Sequence, residues 1–316
     1  MKAFITGLVL IAVSGGALIW HLATRAAPAA LTVGPARTVP CMVWRAERGH
    51  ATVWLCGSFH LLREEDYPLP GPYGRAFAEA RVLVTESPHD PAEATARRAL
   101  VLQKGQWPPG ERLEQHLSVE AWAKVRADCA EMGLDAGTLA PMKPWQAAFH
   151  VANYSMQSLG YQPARGLESY FSALAGSRTL AALETLEEQI ARVDSLDAAT
   201  QEAMLVRMAE EGKRAKERAG SLIEAWREGD ARRLASLNAE SMDELPAVRK
   251  ALMEERHAVW LPQIEKYLDG TEPVMVLVGA LHLCGRGSLL ELLEAKGAKL
   301  TQMTWTTTRP VAAEGK

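Results

Sequence analysis

Two short apolar runs, Ala51-Thr-Val-Trp-Leu-Cys56 and Pro273-Val-Met-Val-Leu-Val278, stand near opposite ends of a 316-residue chain whose middle is helical in composition and period. Each is brief, apolar and rich in β-branched residues, which is how a strand buried on both faces reads. Arg81-Val-Leu-Val-Thr85, closed by Ser87-Pro88, and Arg178-Thr-Leu-Ala-Ala-Leu183 have the same character. From Pro91 to Leu268 helical patterns dominate: Ser118 to Met132 has a serine N-cap and a Gly133 stop, and Pro144 to Leu159 ends at Gly160. A last helix, Ser288 to Lys296, and a strand, Lys299 to Trp305, close the chain. Strands at both ends with helices between them predict an α/β (α+β) fold. Its central mixed sheet is built from N- and C-terminal strands, with a large helical insertion over it.

Composition bounds what such a fold does. With 48% apolar residues and a net charge of -3, the chain has a globular core and no basic field for nucleic acid. The run Lys213, Arg214, Lys216 and Arg218 is interleaved with Glu210, Glu211 and Glu217 and reads as a solvated helix face. The N-terminus differs: Lys2 precedes an uncharged stretch, Ala3 to Trp20, of membrane-spanning length, followed by the small residues a signal peptidase favours. Residues 1–24 are therefore expected to be a signal peptide or an N-terminal membrane anchor. Residues 25–40 follow as a linker and 41–310 as one domain, exported and either periplasmic or membrane-anchored with its body outside the cytoplasm. Cys41, Cys56, Cys129 and Cys284 form no CxxC pair, and both disulfides and buried thiols stay open.

The chemistry concentrates after the strands. Gly57-Ser-Phe-His60 leaves one apolar run and Gly279-Ala-Leu-His282 leaves another, while Glu86 and Glu184 leave the remaining two. Binding sites in open α/β sheets collect outside the carboxyl ends of strands, so these side chains are candidates to converge. The glycines are read as permitting unusual backbone angles that fold each histidine back over the sheet edge. Two imidazoles and a carboxylate are the residue types of a three-ligand metal site with a position left for water. Separate, satisfied histidines at strand ends are the alternative. His50, His89, His116 and His150 have no partner motif and are assigned to surface or core, as Trp122, Trp145, Trp226 and Trp260 are to core. No Gly-x-Ser-x-Gly elbow is present, and nothing marks a third group for Ser58 and His60.

The segments Val53 to Leu62, Val82 to Ser87, Met142 to Trp145, Leu183 to Gln189, Ala225 to Asp230, Glu255-Arg256 with Trp260, and Val278 to Gly285 resemble, in order and spacing, the TraB/GumN family. This family includes the TraB/PrgY pheromone-shutdown proteins and the Tiki proteases. The resemblance implies a metal-dependent active site in which His60, His282 and Glu86 bind a divalent transition metal (Zn, Mn or Co). Glu86 would serve as ligand or base, and Arg256 as a further polar residue suited to an oxyanion. Two departures stand out. His257 follows the arginine where the family commonly has Asn, and Gly166-Leu167-Glu168 stands where it has a Gly-x-Asp element. The resulting expectation is an exported metal-dependent hydrolase acting on a peptide or protein substrate. A non-catalytic protein capturing a peptide, haem or metal in the same crevice is the alternative. Neither involves nucleic acid, and membrane contact comes through the N-terminal segment if it is uncleaved.

Overall fold

A computed structural model describes residues 36–308, and its centre is a six-stranded sheet in the order β4-β3-β5-β2-β1-β6. The strands are β1 (Arg37–Arg48), β2 (Ala51–Ser58), β3 (Val82–Thr85), β4 (Thr179–Ala182), β5 (Val274–Gly279) and β6 (Lys299–Thr307). β4, β3, β5 and β2 run parallel, whereas β1 pairs antiparallel with both β2 and β6. The sheet is thus mixed, and strands from the two ends of the chain meet in it as expected. β5, separated from β2 by most of the chain, lies between β2 and β3 and is buried from Val274 to Val278. Burying five apolar side chains there contributes roughly 1.5–3 kcal/mol each, and this repays the closure of so long a connection.

The helical insertion falls between β3 and β5. The helices Val119–Met132, Pro144–Ser158 and Ala198–Lys213 pack together, and the serine cap and glycine stop of the first are present: Ser118 Oγ accepts from Ala121 N–H, and Gly133 is left-handed. After Ser195 the chain forms two helices, Ala198–Lys213 and Ala215–Arg227. Arg37 to Pro40, expected as linker, is instead the start of β1, where it pairs with Thr304 to Thr307 of β6 ahead of a register shift. All four cysteines are buried and free. Among the described residues no helix is long and apolar enough to cross a membrane, and the expected signal or anchor at residues 1–24 lies outside them.

In-register pairing sets the site. Ser58 of β2 lies opposite Gly279 of β5, and Thr85 of β3 opposite Leu277, so the three parallel strands deliver their carboxyl ends together. His60, Glu86 and His282 therefore leave one edge of one sheet.

Candidate functional site

Gly279 is the point on which the site closes. A methyl group in place of its hydrogen would stand 3.1 Å from Glu86 Oε1, 3.5 Å from His282 Cδ2 and 3.6 Å from His60 Nε2. The structure thus brings together the two histidines and the glutamate predicted from the strand ends. Neither Gly57 nor Gly279 has a positive φ, which corrects the expectation of unusual backbone angles. Space is the reason for glycine: a Cβ on Gly57 would stand 3.1 Å from Ala280 Cα and 3.2 Å from Met42 Cβ. His282 itself sits on a short 3-10 turn, Ala280–Leu283.

Arg256, 1% exposed, is the hub of one half of the cluster. It projects from the helix Glu255–Leu268, directly after the π-turn Lys250–Glu254. Its Nη2 donates to Glu86 Oε2 at 2.5 Å, its Nε to Glu184 Oε1 at 2.7 Å, and its Nη1 to His282 Nε2 at 3.2 Å. The guanidinium also lies 4.3 Å over the Trp260 ring, a favourable cation–π placement. Glu86 Oε1 accepts from Gly279 N–H at 2.6 Å. Burial opposes the charge on Glu86, but Arg256, the charged His60 and that N–H outweigh it and hold its carboxyl well below the usual carboxylate range.

Arginine only donates, so His282 Nε2 must accept, and the ring proton belongs on Nδ1. His282 Nδ1 then donates to His257 Nε2 at 2.9 Å, and His257 Nδ1 donates to the Gly287 carbonyl at 3.0 Å. One tautomer chain satisfies every nitrogen. Burial, reinforced by Arg256, keeps His282 neutral well below the ordinary imidazole range, and burial pushes His257 down to about 4.

The other half belongs to Glu168, buried at the start of the helix Leu167–Ala173. His60 Nδ1 lies 3.0 Å from Glu168 Oε1, close enough for an ion pair although the ring N–H is not aligned for a hydrogen bond. Burial opposes a charge on His60, but Glu168 outweighs it and, with Glu86, raises the ring to about 9. Ser58 Oγ donates to the same Glu168 oxygen, so its proton is aimed at a carboxylate and not at His60. The helix reaches His60 because residue 166 is glycine: a Cβ there would fall 2.0 Å from the His60 carbonyl oxygen. Leu167 N–H donates to the Phe59 carbonyl at 3.1 Å and fixes the approach.

Sequence reasoning thus locates His60, Glu86, His282 and Arg256. It flags Glu168 and His257 only as departures from a pattern, yet each stands behind one histidine. Trp260, assigned to core, is fully buried and also floors the guanidinium, 4.7 Å from His282. Glu184 shares Arg256 with Glu86. His89, assigned to surface or core, contacts Ser169 beside Glu168 at 3.3 Å and feels the charges of Glu168, His60 and Glu86. Only its three-residue spacing from Glu86 could have signalled it.

Do these residues fit a metal? The donor chemistry does, since Nδ1 of each histidine faces a group behind it, His282 by a hydrogen bond to His257 and His60 at ion-pair distance from Glu168, as metal-bound imidazoles do. Glu86 Oε1 and His282 Nε2 are 3.5 Å apart, a separation two ligands of one ion can have. Among the described residues no group of three His, Cys, Asp or Glu side chains is already spaced as a ligand set, and the Arg256 guanidinium lies on two of the donors.

No curated protein and no solved structure matches the chain. The model of the TraB/PrgY/gumN family matches residues 42–302, nearly the whole sheet and its insertion, and includes every residue of this cluster. The chain belongs to the TraB/PrgY/gumN family.

Proposed function

We propose that this chain is an exported metal-dependent hydrolase acting on peptides at the carboxyl ends of β2, β3 and β5. The observation that carries the reading is the convergence of His60 Nε2, Glu86 Oε1 and His282 on Gly279, with His257 hydrogen-bonded behind one imidazole and the Glu168 carboxylate 3.0 Å behind the other. His60, His282 and Glu86 would hold the metal. When bound, a divalent Zn, Mn or Co ion supplies Lewis acidity and acidifies coordinated water.

The remaining work falls to the chain's own groups. Glu168 and His257 orient the two imidazoles and set which nitrogen faces the crevice. A general base near neutrality needs a pKa near the working pH, and Glu86 is held far below it, which favours Glu86 as ligand over Glu86 as base. Arg256, held by Glu184 and Trp260, supplies a cation beside the point where negative charge develops on a tetrahedral centre. The peptide substrate and the location outside the cytoplasm follow from the family resemblance and the apolar N-terminal stretch, Ala3 to Trp20.

The competing reading is a capture protein without turnover. It is favoured by one fact: both ring nitrogens of His282 and both oxygens of Glu86 already have partners. Metal analysis of the purified chain, followed by peptide-library cleavage with each metal found, separates the two. The hydrolase reading expects metal-stimulated cleavage, abolished in His60→Ala and His282→Ala and reduced about 10–100-fold in Glu168→Gln. Stoichiometric peptide binding with no product would establish the capture reading instead.

A further inference from the structure

We propose that Arg256 is a displaceable internal cation: it closes the site while no metal is present, and withdraws onto Glu184 when a divalent ion takes Glu86 and His282. The inference rests on the metal-dependent reading and deepens it. A buried carboxylate needs a compensating cation, because an unpaired buried charge is strongly destabilising. Glu86, 6% exposed, receives that cation from Arg256.

The same guanidinium excludes a metal for a simple reason. The Nε2 atom of a neutral imidazole has one lone pair, and that of His282 is directed to Arg256 Nη1. Nε2 can accept from the arginine or bind an ion, but not both. Two cations sharing Glu86 would also repel across a few ångströms of low-dielectric interior.

Withdrawal is built into the surroundings. Arg256 Nε and Nη2 both lie 2.7 Å from Glu184 Oε1, and the guanidinium rests on the Trp260 face. Turning Nη1 and Nη2 away from His282 and Glu86 therefore keeps the charge paired through Glu184. Arg256 acts here as a positioning residue, with Glu184 as its alternative partner.

The test is metal binding, read independently of turnover. The full purified chain is stripped of metal and titrated with Co²⁺, followed by its visible absorption, and with Zn²⁺ by competition. Arg256→Gln removes the excluding charge and should bind at least about tenfold more tightly than wild type, the scale of ordinary coupling between ligands. Glu184→Gln leaves Glu86 as the only carboxylate on the guanidinium, and should bind at least about tenfold more weakly. Opposite signs from two adjacent substitutions are not expected of residues that merely support the fold. Should Arg256→Gln fail to fold without metal, folding restored by Zn²⁺ supports the proposal. If it folds under neither condition, weakened binding in Glu184→Gln supports the proposal and unchanged binding there overturns it. Equal affinity in wild type and both variants overturns the displacement while leaving the metal site standing. No binding in any of the three overturns the metal site and this inference together.

Discussion

The two Gly-x-x-His segments leave neighbouring parallel strands, yet their histidines are in opposite electrostatic states. His60 faces the Glu168 carboxylate at 3.0 Å and is raised to about 9, whereas His282 faces the Arg256 guanidinium at 3.2 Å and is held neutral. The two motifs stand one position out of register, Ser58 lying opposite Gly279, and the charge on their histidines is reversed. A motif of this kind places an imidazole at a strand end; a carboxylate from a distant helix charges His60, whereas burial, reinforced by a guanidinium from another helix, keeps His282 neutral. Glu168 comes from the helix Leu167–Ala173 and Arg256 from Glu255–Leu268, both within the insertion.

The comparison can be broken most forcefully at Arg256. Arg256→Ala leaves Glu86 and Glu184 buried without their shared cation, and should cost about 3–5 kcal/mol in the metal-free chain, measured by denaturant unfolding. His282 should at the same time become easier to protonate. A smaller loss would mean that water or Arg192, 3.5 Å from Glu184, replaces the guanidinium.

The His60 half answers to pH. Its folded pKa of about 9 lies above the ordinary value of about 6.5, so the folded chain holds a proton that the unfolded chain releases. The stability this confers is complete below pH 6.5 and is lost as pH rises through about 9. It amounts to about 3 kcal/mol at most. Glu168→Gln should flatten that slope between about pH 6.5 and 9, and a slope unchanged in Glu168→Gln would assign it to other groups. The smallest effect is expected at the relay: His257→Phe removes the acceptor of the His282 ring proton and should cost about 1–2 kcal/mol. An effect on His60 titration in that variant would show that the two halves are coupled.

The legible part of this molecule is the part encoded by local period and punctuation. β2, β3 and β5 announce themselves as short apolar runs, and His60, Glu86 and His282 follow from where those runs end. Ser118 and Gly133 mark their helix because caps are local. Arg256 is reached through resemblance and not through spacing. What escapes lies in contacts between elements far apart in sequence. Glu168 meets His60 across 108 positions only because Gly166 lets two backbones touch, and no local pattern encodes that approach. The glycines of the two histidine motifs read as turn-formers in the sequence, whereas their function is clearance, a property of the neighbour they face. Trp260 looks like core because it is core, and its second face under Arg256 follows only from the helix's rotation against β2.

The reversed charge of the two histidines is tested most directly by ring-nitrogen NMR on the metal-free, histidine-labelled chain, assigned with His60→Gln and His282→Gln. At about pH 7.5 one doubly protonated ring, His60, is predicted, titrating near 9, and one neutral ring, His282, with its proton on Nδ1 and no titration down to the acid limit of folding. Two rings titrating together near the ordinary value of about 6.5, or a His282 proton on Nε2, would contradict it.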